Sequence, residues 1–82
     1  MDPKDLIRKA AEEDSYDIVE HALKEADKDG LTIHEIENVM IYGKINQKDP
    51  KKSRYRLRYR NIQIIVEVIS NEVTIVTVMR DR

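Results

Sequence analysis

Arginine recurs at every second position of the segment KKSRYRLRYRN, which runs from Lys51 to Asn61. Side chains of a β-strand alternate between two faces, so a strand here carries its guanidinium groups on one face. The opposite face carries Tyr55, Leu57 and Tyr59. A guanidinium donates hydrogen bonds in a planar fork that fits phosphate oxygens, so this spacing indicates a strand that binds phosphate or nucleic acid. The candidate ligands are Arg54, Arg56, Arg58, Lys51 and Lys52.

Two other interpretations fit the same arginines. In the first, the strand is solvated and Arg54 pairs with Glu67 across the sheet, an exposed ion pair that contributes little to stability. In the second, the arginine face is an interface between copies of the chain or with an acidic protein. The spacing alone leaves all three open.

Three residues supply the groups that metal-free cleavage of RNA requires. The reaction needs a base for the 2′-hydroxyl proton, a cation beside the developing phosphorane charge and an acid for the leaving oxygen. Glu67 is the candidate base, Arg80, Arg56 or Arg58 the candidate cation, and His21 the candidate acid. His21 can act only where its helix reaches the same cleft, and its alternative role is that of a helix-surface residue.

Neither a metal nor a cofactor is indicated. The segment DKDGLTIHEIE has the residue order of a calcium loop, but with Gly30 at the sixth position Ile36 falls where a bidentate Glu is needed. The chain has no Cys and two His, and HEIEN lacks the second His of a zinc-protease motif. We therefore expect no metal and no cofactor.

Length and hydropathy predict one cytoplasmic domain. The 82 residues are enough for one small core, so we expect a single domain over residues 1–82. No run of about 18 apolar residues and no signal-peptide pattern is present, which predicts no membrane partner and a cytoplasmic location.

Charge divides the chain into two halves. Residues 1–43 hold 5 basic and 12 acidic side chains, a net charge of −7, and residues 44–82 hold 10 basic and 4 acidic ones, a net charge of +6. The basic half favours a polyanionic partner such as RNA, and it equally suits an acidic protein or the acidic half of a second copy.

The acidic half has the 3.6-residue period of helices. Asp2 and Pro3 suit the first turn of one helix, and Asp14 or Ser15 can cap a second that ends at Gly30. A capping box, Thr32 to Glu35, begins a third helix that stops at Gly43. We therefore predict two to three helices over residues 1–43.

The basic half changes to a period of two and predicts an α+β fold. A short strand is possible at residues 44–46, and QKDPKKS is a loop. Three longer runs are rich in β-branched and aromatic residues, and the separating dipeptides Arg60-Asn61 and Ser70-Asn71 suit tight turns. We predict a three- to four-stranded antiparallel meander with strands at residues 54–59, 62–69 and 73–80.

Two-residue turns specify a register. The first turn places Arg54 opposite Glu67, Arg56 opposite Ile65 and Arg58 opposite Gln63. On the other face it places Tyr55 opposite Val66, Leu57 opposite Ile64 and Tyr59 opposite Ile62. The second turn places Val66 opposite Ile75 and Ile64 opposite Thr77. Continued alternation places Val76, Val78 and Arg80 on the arginine face, where Ile65, Val76 and Val78 form an apolar patch rimmed by guanidinium groups. Tyr55 and Tyr59 fall on the opposite face, under the helices, and are assigned to the core.

From His21 to Arg80 the chain resembles the DUF4258 family. The family pattern starts with His-Ala on a helix, continues through Gly, an apolar residue and a Thr or Ser cap into a Glu-containing helix, and ends in basic and β-branched strands. The matching segments are His21-Ala22, Gly30-Leu31-Thr32, Glu35-Ile36, Gly43-Lys44-Ile45, Arg54-Tyr55, Ile64-Ile65-Val66 and Ile75-Val76-Thr77-Val78.

The resemblance implies a fold similar to the barnase, colicin-nuclease and RelE-toxin group. In that group helices cover one sheet face and the other face can hold RNA. The family commonly has an arginine just before the Gly, where this chain has Asp29. The functional hypothesis is RNA binding or RelE-like endoribonuclease activity, as of a toxin, through the arginine face. The alternative is a non-enzymatic interaction module or homodimer that uses the same face.

Overall fold

A computed structural model of the chain describes residues 1–81, which form three helices and a five-stranded sheet. The helices are α1 (Pro3–Glu12), α2 (Glu20–Asp29) and α3 (Ile33–Tyr42). The strands are β1 (Tyr16–Ile18), β2 (Lys44–Asp49), β3 (Arg54–Tyr59), β4 (Ile62–Ile69) and β5 (Glu72–Arg80), in the spatial order β1-β5-β4-β3-β2. The α+β class is confirmed. The prediction of a three- to four-stranded, purely antiparallel meander is wrong, because β1 adds a parallel edge strand.

The strand β1 replaces the predicted start of the second helix. Neither Asp14 nor Ser15 caps a helix, and α2 begins after Val19, whose side chain makes no capping bond. Instead Tyr16 and Ile18 pair in parallel with β5 and pack against the core. The burial of these two side chains outweighs a local cap, so a strand lies within the half that was predicted to be helical only.

The other helix ends follow the predicted signals. The Asp2 carboxylate accepts a hydrogen bond from the Asp5 N–H at 2.9 Å at the start of α1. Thr32 and Glu35 form a reciprocal capping box with two backbone bonds of 3.1 Å. Gly30 ends α2 with φ of 67°, a left-handed conformation that glycine adopts without a Cβ penalty.

Strand β3 pairs with β4 in the predicted register. All six predicted opposite pairs are present, from Arg54 with Glu67 to Tyr59 with Ile62. Strand β2 is longer than predicted, because it extends through part of the expected loop to Asp49 before a 3-10 turn at Pro50–Lys52. One extra residue, Asn46, bulges from β2 between its pairs with β3.

A second bulge changes the face of half of β5. Val66 pairs with Ile75 as predicted, but Ile65 pairs with Thr77, so Val76 has no partner and Ile64 faces Val78. Residues after the bulge are therefore offset by one and point to the opposite face. The predictions that Ile64 faces Thr77, and that Val78 lies on the arginine face, are wrong: Val78 is fully buried.

All three helices cover one face of the sheet, where the core lies. Its largest fully buried side chains are Ile7, Ile36, Val39, Met40, Leu57, Ile64, Val66, Ile75 and Val78. Two polar contacts join the layers. The Lys4 ammonium donates to the carbonyls of Met40 and Ile41 at 2.8 Å each, and the Tyr16 hydroxyl donates to Glu37 at 2.6 Å. Within residues 1–81, no helix is both long and apolar enough to cross a bilayer.

Helix α2 also covers the free part of the β5 edge. Because β1 pairs only as far as Ile75, the N–H groups of Val78 and Arg80 have no strand partner on that side. Two acidic side chains one helical turn apart accept from them: Glu25 from Val78 at 3.4 Å, and Asp29 from Arg80 at 3.2 Å. Carboxylates thus take the place of a strand along this edge.

Candidate nucleic-acid interface

The sheet face that points away from the helices carries the predicted arginines. We call it the open face. Its side chains are Asp17 from β1, Lys44, Gln47 and Asp49 from β2, Arg54, Arg56 and Arg58 from β3, Gln63, Ile65 and Glu67 from β4, and Thr74, Thr77 and Met79 from β5. None of them is buried. The charge asymmetry of the sequence thus becomes an asymmetry between an acidic helical layer and a more basic sheet.

The three arginines differ in their partners. Arg54 pairs with Glu67, Nε to Oε2 at 3.3 Å, as the cross-strand register requires. Arg58 Nη2 lies 2.7 Å from Asp81 Oδ2, which accepts no well-aligned hydrogen bond, so this contact is chiefly electrostatic. Within residues 1–81, Arg56 has no acidic partner. Its guanidinium is therefore the least compensated positive charge in the middle of the face.

Charge on the open face is graded along β3. The row that contains Arg54 also carries Asp17, Glu67 and Asp49, so its net charge is negative. At the other end Lys44 pairs directly with Arg58. On the open face itself, basic side chains therefore outnumber acidic ones from Arg56 to Lys44, whereas Lys51 and Lys52 lie in the 3-10 turn next to the acidic row.

A shallow cavity opens beside Arg56 at the β2 edge. Its volume is about 170 Å³, and its walls include Gln47, Asp49, Lys52, Arg54 and Ile65. Of the two predicted lysine ligands, both exposed in the 3-10 turn, only Lys52 lines it.

An aromatic and cationic cluster lies at the positive end of the sheet. Tyr42, the last residue of α3, is 62% exposed, and its ring centroid is 5.7 Å from that of Tyr59 at an interplanar angle of 38°. The Arg60 guanidinium carbon lies 5.3 Å from the Tyr59 centroid, a cation–π distance. A second shallow cavity, about 450 Å³, joins these three residues to Lys44, Asn46 and Arg58.

The three candidate catalytic residues lie apart. Glu67 is on the open face, paired with Arg54. His21 is on α2, 71% exposed, with Nε2 3.2 Å from Glu25 Oε1. That helix packs on the covered side of the sheet, so the condition that His21 reach the cleft of Glu67 is not met.

Arg80 points toward the helices, and the prediction that it shares the arginine face is wrong. The bulge at Val76 turns it to the covered side, where its Nε donates to the Asp29 carbonyl at 3.3 Å and its Nη2 lies 3.3 Å from Glu35 Oε2. The Glu35 pKa is lowered, first by the Thr32 backbone N–H and further by Arg80. These contacts tie β5 to α2 and α3, which is a structural role.

Metal ligands are dispersed in the described part of the chain. No group of three or more His, Asp or Glu side chains in residues 1–81 could hold a metal ion. The two histidines, His21 and His34, are on different helices and both are exposed.

One family model matches the chain. Neither a curated protein nor a solved structure matches it. The model described as "Domain of unknown function (DUF4258)" matches residues 18–80, from the end of β1 to the end of β5. That range holds α2, α3 and all of strands β2 to β5, including every arginine of the open face. The chain therefore belongs to the DUF4258 family.

Proposed function

We propose that the protein binds single-stranded RNA through the open face, with Arg56, Arg58 and Lys44 contacting phosphates. One observation carries the proposal: Arg56, at the centre of the face, has no acidic partner within the described residues. A guanidinium held on a strand between two others is a preorganised phosphate ligand.

The paired arginines can join Arg56 at small cost. An exposed ion pair is worth about 0 to 1 kcal/mol, and Arg54 and Arg58 are 41% and 52% exposed. A phosphate can therefore replace Glu67 as the partner of Arg54 with little loss of stability, whereas at Arg58 it joins the contact with Asp81, whose Oδ2 is buried. More carboxylates lie in the row of Arg54 than beside Arg58, and they would repel an RNA phosphate. We therefore expect Arg58 to contribute more to RNA binding than Arg54.

The apolar side chains of the open face favour single-stranded over duplex RNA. Ile65 lies opposite Arg56, and Met79 lies opposite Gln63 in the row of Arg58. Unpaired bases can contact such side chains while their phosphates contact arginines, whereas a duplex presents mainly its backbone and 2′-hydroxyl groups.

Strand cleavage is a second candidate activity, favoured by the position of Glu67 on the open face. Its carboxylate is two residues along β4 from Ile65 and beside the Arg54 guanidinium, which supplies a base and a cation together. This would agree with the relation to the barnase, colicin-nuclease and RelE-toxin group that the family resemblance implies. His21 and Arg80 would then have no direct part, the leaving oxygen would take its proton from water, and cleavage should depend on Glu67 alone among the three.

The test is a fluorescence-anisotropy titration of a labelled mixed-sequence RNA. Each phosphate contact on single-stranded nucleic acid contributes a slope of about −0.7 to the logarithmic salt dependence, so three contacts predict a loss of about 20-fold between about 50 and about 200 mM salt. Arg56→Glu should weaken binding by at least about tenfold at low salt, because it replaces an attraction by a repulsion. Arg8→Glu makes the same charge change at an exposed position of α1, on the far side of the molecule, and should bind as the parent does.

Three outcomes separate the alternatives. Equal affinity of the Arg56→Glu and Arg8→Glu variants, or no binding at low salt, would refute the proposal. A shortened RNA on a gel run afterwards would establish cleavage, provided that Glu67→Gln abolishes it. Absence of binding together with a concentration-dependent mass in solution would instead favour the homodimer, or association of the open face with an acidic protein.

A further inference from the structure

In the aromatic and cationic cluster at the end of β3, the Tyr42 side chain is more exposed than packing in the core would require. Within residues 1–81, Tyr42 is the one exposed tyrosine, and Tyr16, Tyr55 and Tyr59 are half-buried. A ring that served only the core would place most of its surface against apolar neighbours. Tyr42 instead lies beside the Tyr59 ring and leaves 62% of its surface exposed.

The backbone holds Tyr42 in this position. The next residue is Gly43, which joins α3 directly to β2. A Cβ at residue 43 would overlap the Val39 carbonyl oxygen and lie 3.1 Å from the Arg58 carbonyl oxygen. The helix end therefore lies close against β3, and the Tyr42 ring lies beside that of Tyr59 without a ligand.

The surroundings of the two rings are positive. The cavity that contains them is also lined by Lys44, Arg58 and Arg60, and no carboxylate of the described residues lines it. The nearest carboxylate in the open-face contacts is Asp81, which pairs with Arg58 and accepts a hydrogen bond from Gln63 at 2.9 Å. Two aromatic rings among three cations match a nucleotide, whose base has a π face and whose phosphate is an anion.

The cluster borders the open face at the sheet end, although the Tyr59 ring itself points to the covered side. Arg56 and Arg58 are two residues apart on β3, or about 7 Å along the strand, and Arg60 follows in the turn. Lys44 lies opposite Arg58 on β2. An RNA strand that follows these cations from the middle of the face must therefore pass round the sheet end to reach Tyr42 and Tyr59.

We propose that Tyr42 and Tyr59 form a stacking site for one base of the bound RNA, with Lys44 and Arg58 holding an adjacent phosphate. This inference rests on the proposed RNA binding and adds a site at which a base, and not only the backbone, is bound. Arg60 stacks on Tyr59 and keeps its ring in place, while the exposed Tyr42 ring receives the base.

The test uses an RNA oligomer with a single 2-aminopurine, whose fluorescence falls when the base stacks on an aromatic ring. The parent protein should quench this fluorescence and should bind the oligomer more tightly than an abasic ribose-phosphate oligomer of the same length. Tyr42→Ala should remove most of the quenching and weaken binding of the base-containing oligomer by about fivefold or more, with no effect on the abasic one. Tyr42→Phe keeps the ring and should behave as the parent does.

A control variant, and a comparison with Arg56→Glu, distinguish failure of the stacking site from failure of the proposed RNA binding. Ile69→Ala removes an exposed apolar side chain at the far end of β4 and should change neither readout. Unaltered quenching and affinity in Tyr42→Ala, with Arg56→Glu still defective, would overturn the stacking site and leave RNA binding intact. Failure of both oligomers to bind the parent protein at low salt would overturn both proposals.

Discussion

Asp29 should stabilise the protein although it lies where a carboxylate is unfavourable. As the last residue of α2, it faces the negative end of the helix dipole. Its Oδ2 nevertheless accepts from the Arg80 N–H at 3.2 Å, at a half-buried position where that N–H has no strand partner. Asp29→Ala therefore removes one favourable contact and one unfavourable one.

The net effect follows from the geometry. A hydrogen bond to a charged group contributes about 1.5 to 3 kcal/mol, and the length and partial exposure of this one put it near the lower limit, at about 1.5 kcal/mol. Loss of the negative charge at the helix end and the higher helix propensity of Ala raise the free energy of unfolding by roughly 0.5 kcal/mol. The expected net loss is about 1 kcal/mol, which corresponds to a fall in melting temperature of about 4 to 8 °C for a domain of this size.

Asp27→Ala is the matched control for this measurement. Asp27 lies on the same turn of α2, is exposed, and its carboxylate makes no hydrogen bond or ion pair in the described part of the chain. The Asp27→Ala variant gains helix propensity and loses an unfavourable interaction with the helix dipole, as Asp29→Ala does. The difference in stability between the two variants therefore isolates the contact with Arg80. Thermal unfolding followed by circular dichroism measures both. Equal melting temperatures would refute the view that α2 carboxylates stabilise the β5 edge.

Two further predictions concern the helices. Lys4→Met should lower the free energy of unfolding by about 1 to 2 kcal/mol, measured by urea denaturation, because it removes a cation that binds two carbonyls at the end of α3; an unchanged midpoint would contradict this. The pKa values of Asp2 and Glu35 are lowered, in each case first by a backbone N–H that the carboxylate binds. A carboxyl whose folded pKa lies below its unfolded value stabilises above the unfolded pKa, so the urea midpoint should be constant above about pH 5 and fall below about pH 4. The double variant Asp2→Asn, Glu35→Gln should show a weaker fall, and an identical pH profile would exclude these two groups as its source.

The fold could be predicted where local signals and alternation agree. The six β3–β4 pairs followed from a two-residue turn and from arginines that alternate with Tyr, Leu and Tyr. The Val76 bulge could not be predicted, because residues 73–78 are β-branched at every position and either register buries an apolar side chain. Strand β1 is three residues long and is specified by its parallel partner far along the chain, which no local period reveals.

The sequence predicted which arginines belong to the candidate site, but it did not predict how their charges are neutralised. The sequence placed three arginines on one face correctly, but Arg58 is partly neutralised by Asp81, which follows the last strand and gives no pairing signal. Tyr42 was not singled out, since a tyrosine at the end of an apolar helix is usually part of the core. The one local signal was its place before Gly43, at the point where the helix ends close against β3.

The unpaired Val76 determines how a mutational scan of β5 should be interpreted. Before the bulge the buried positions are odd-numbered, such as Val73 and Ile75, and after it the buried position is Val78. Substitutions at Arg80 are therefore expected to act through folding, and losses of RNA binding there should disappear when corrected for the folded fraction. Substitutions at Met79 should change RNA affinity at constant stability. An interpretation that assumed unbroken alternation would assign these two phenotypes to the wrong residues.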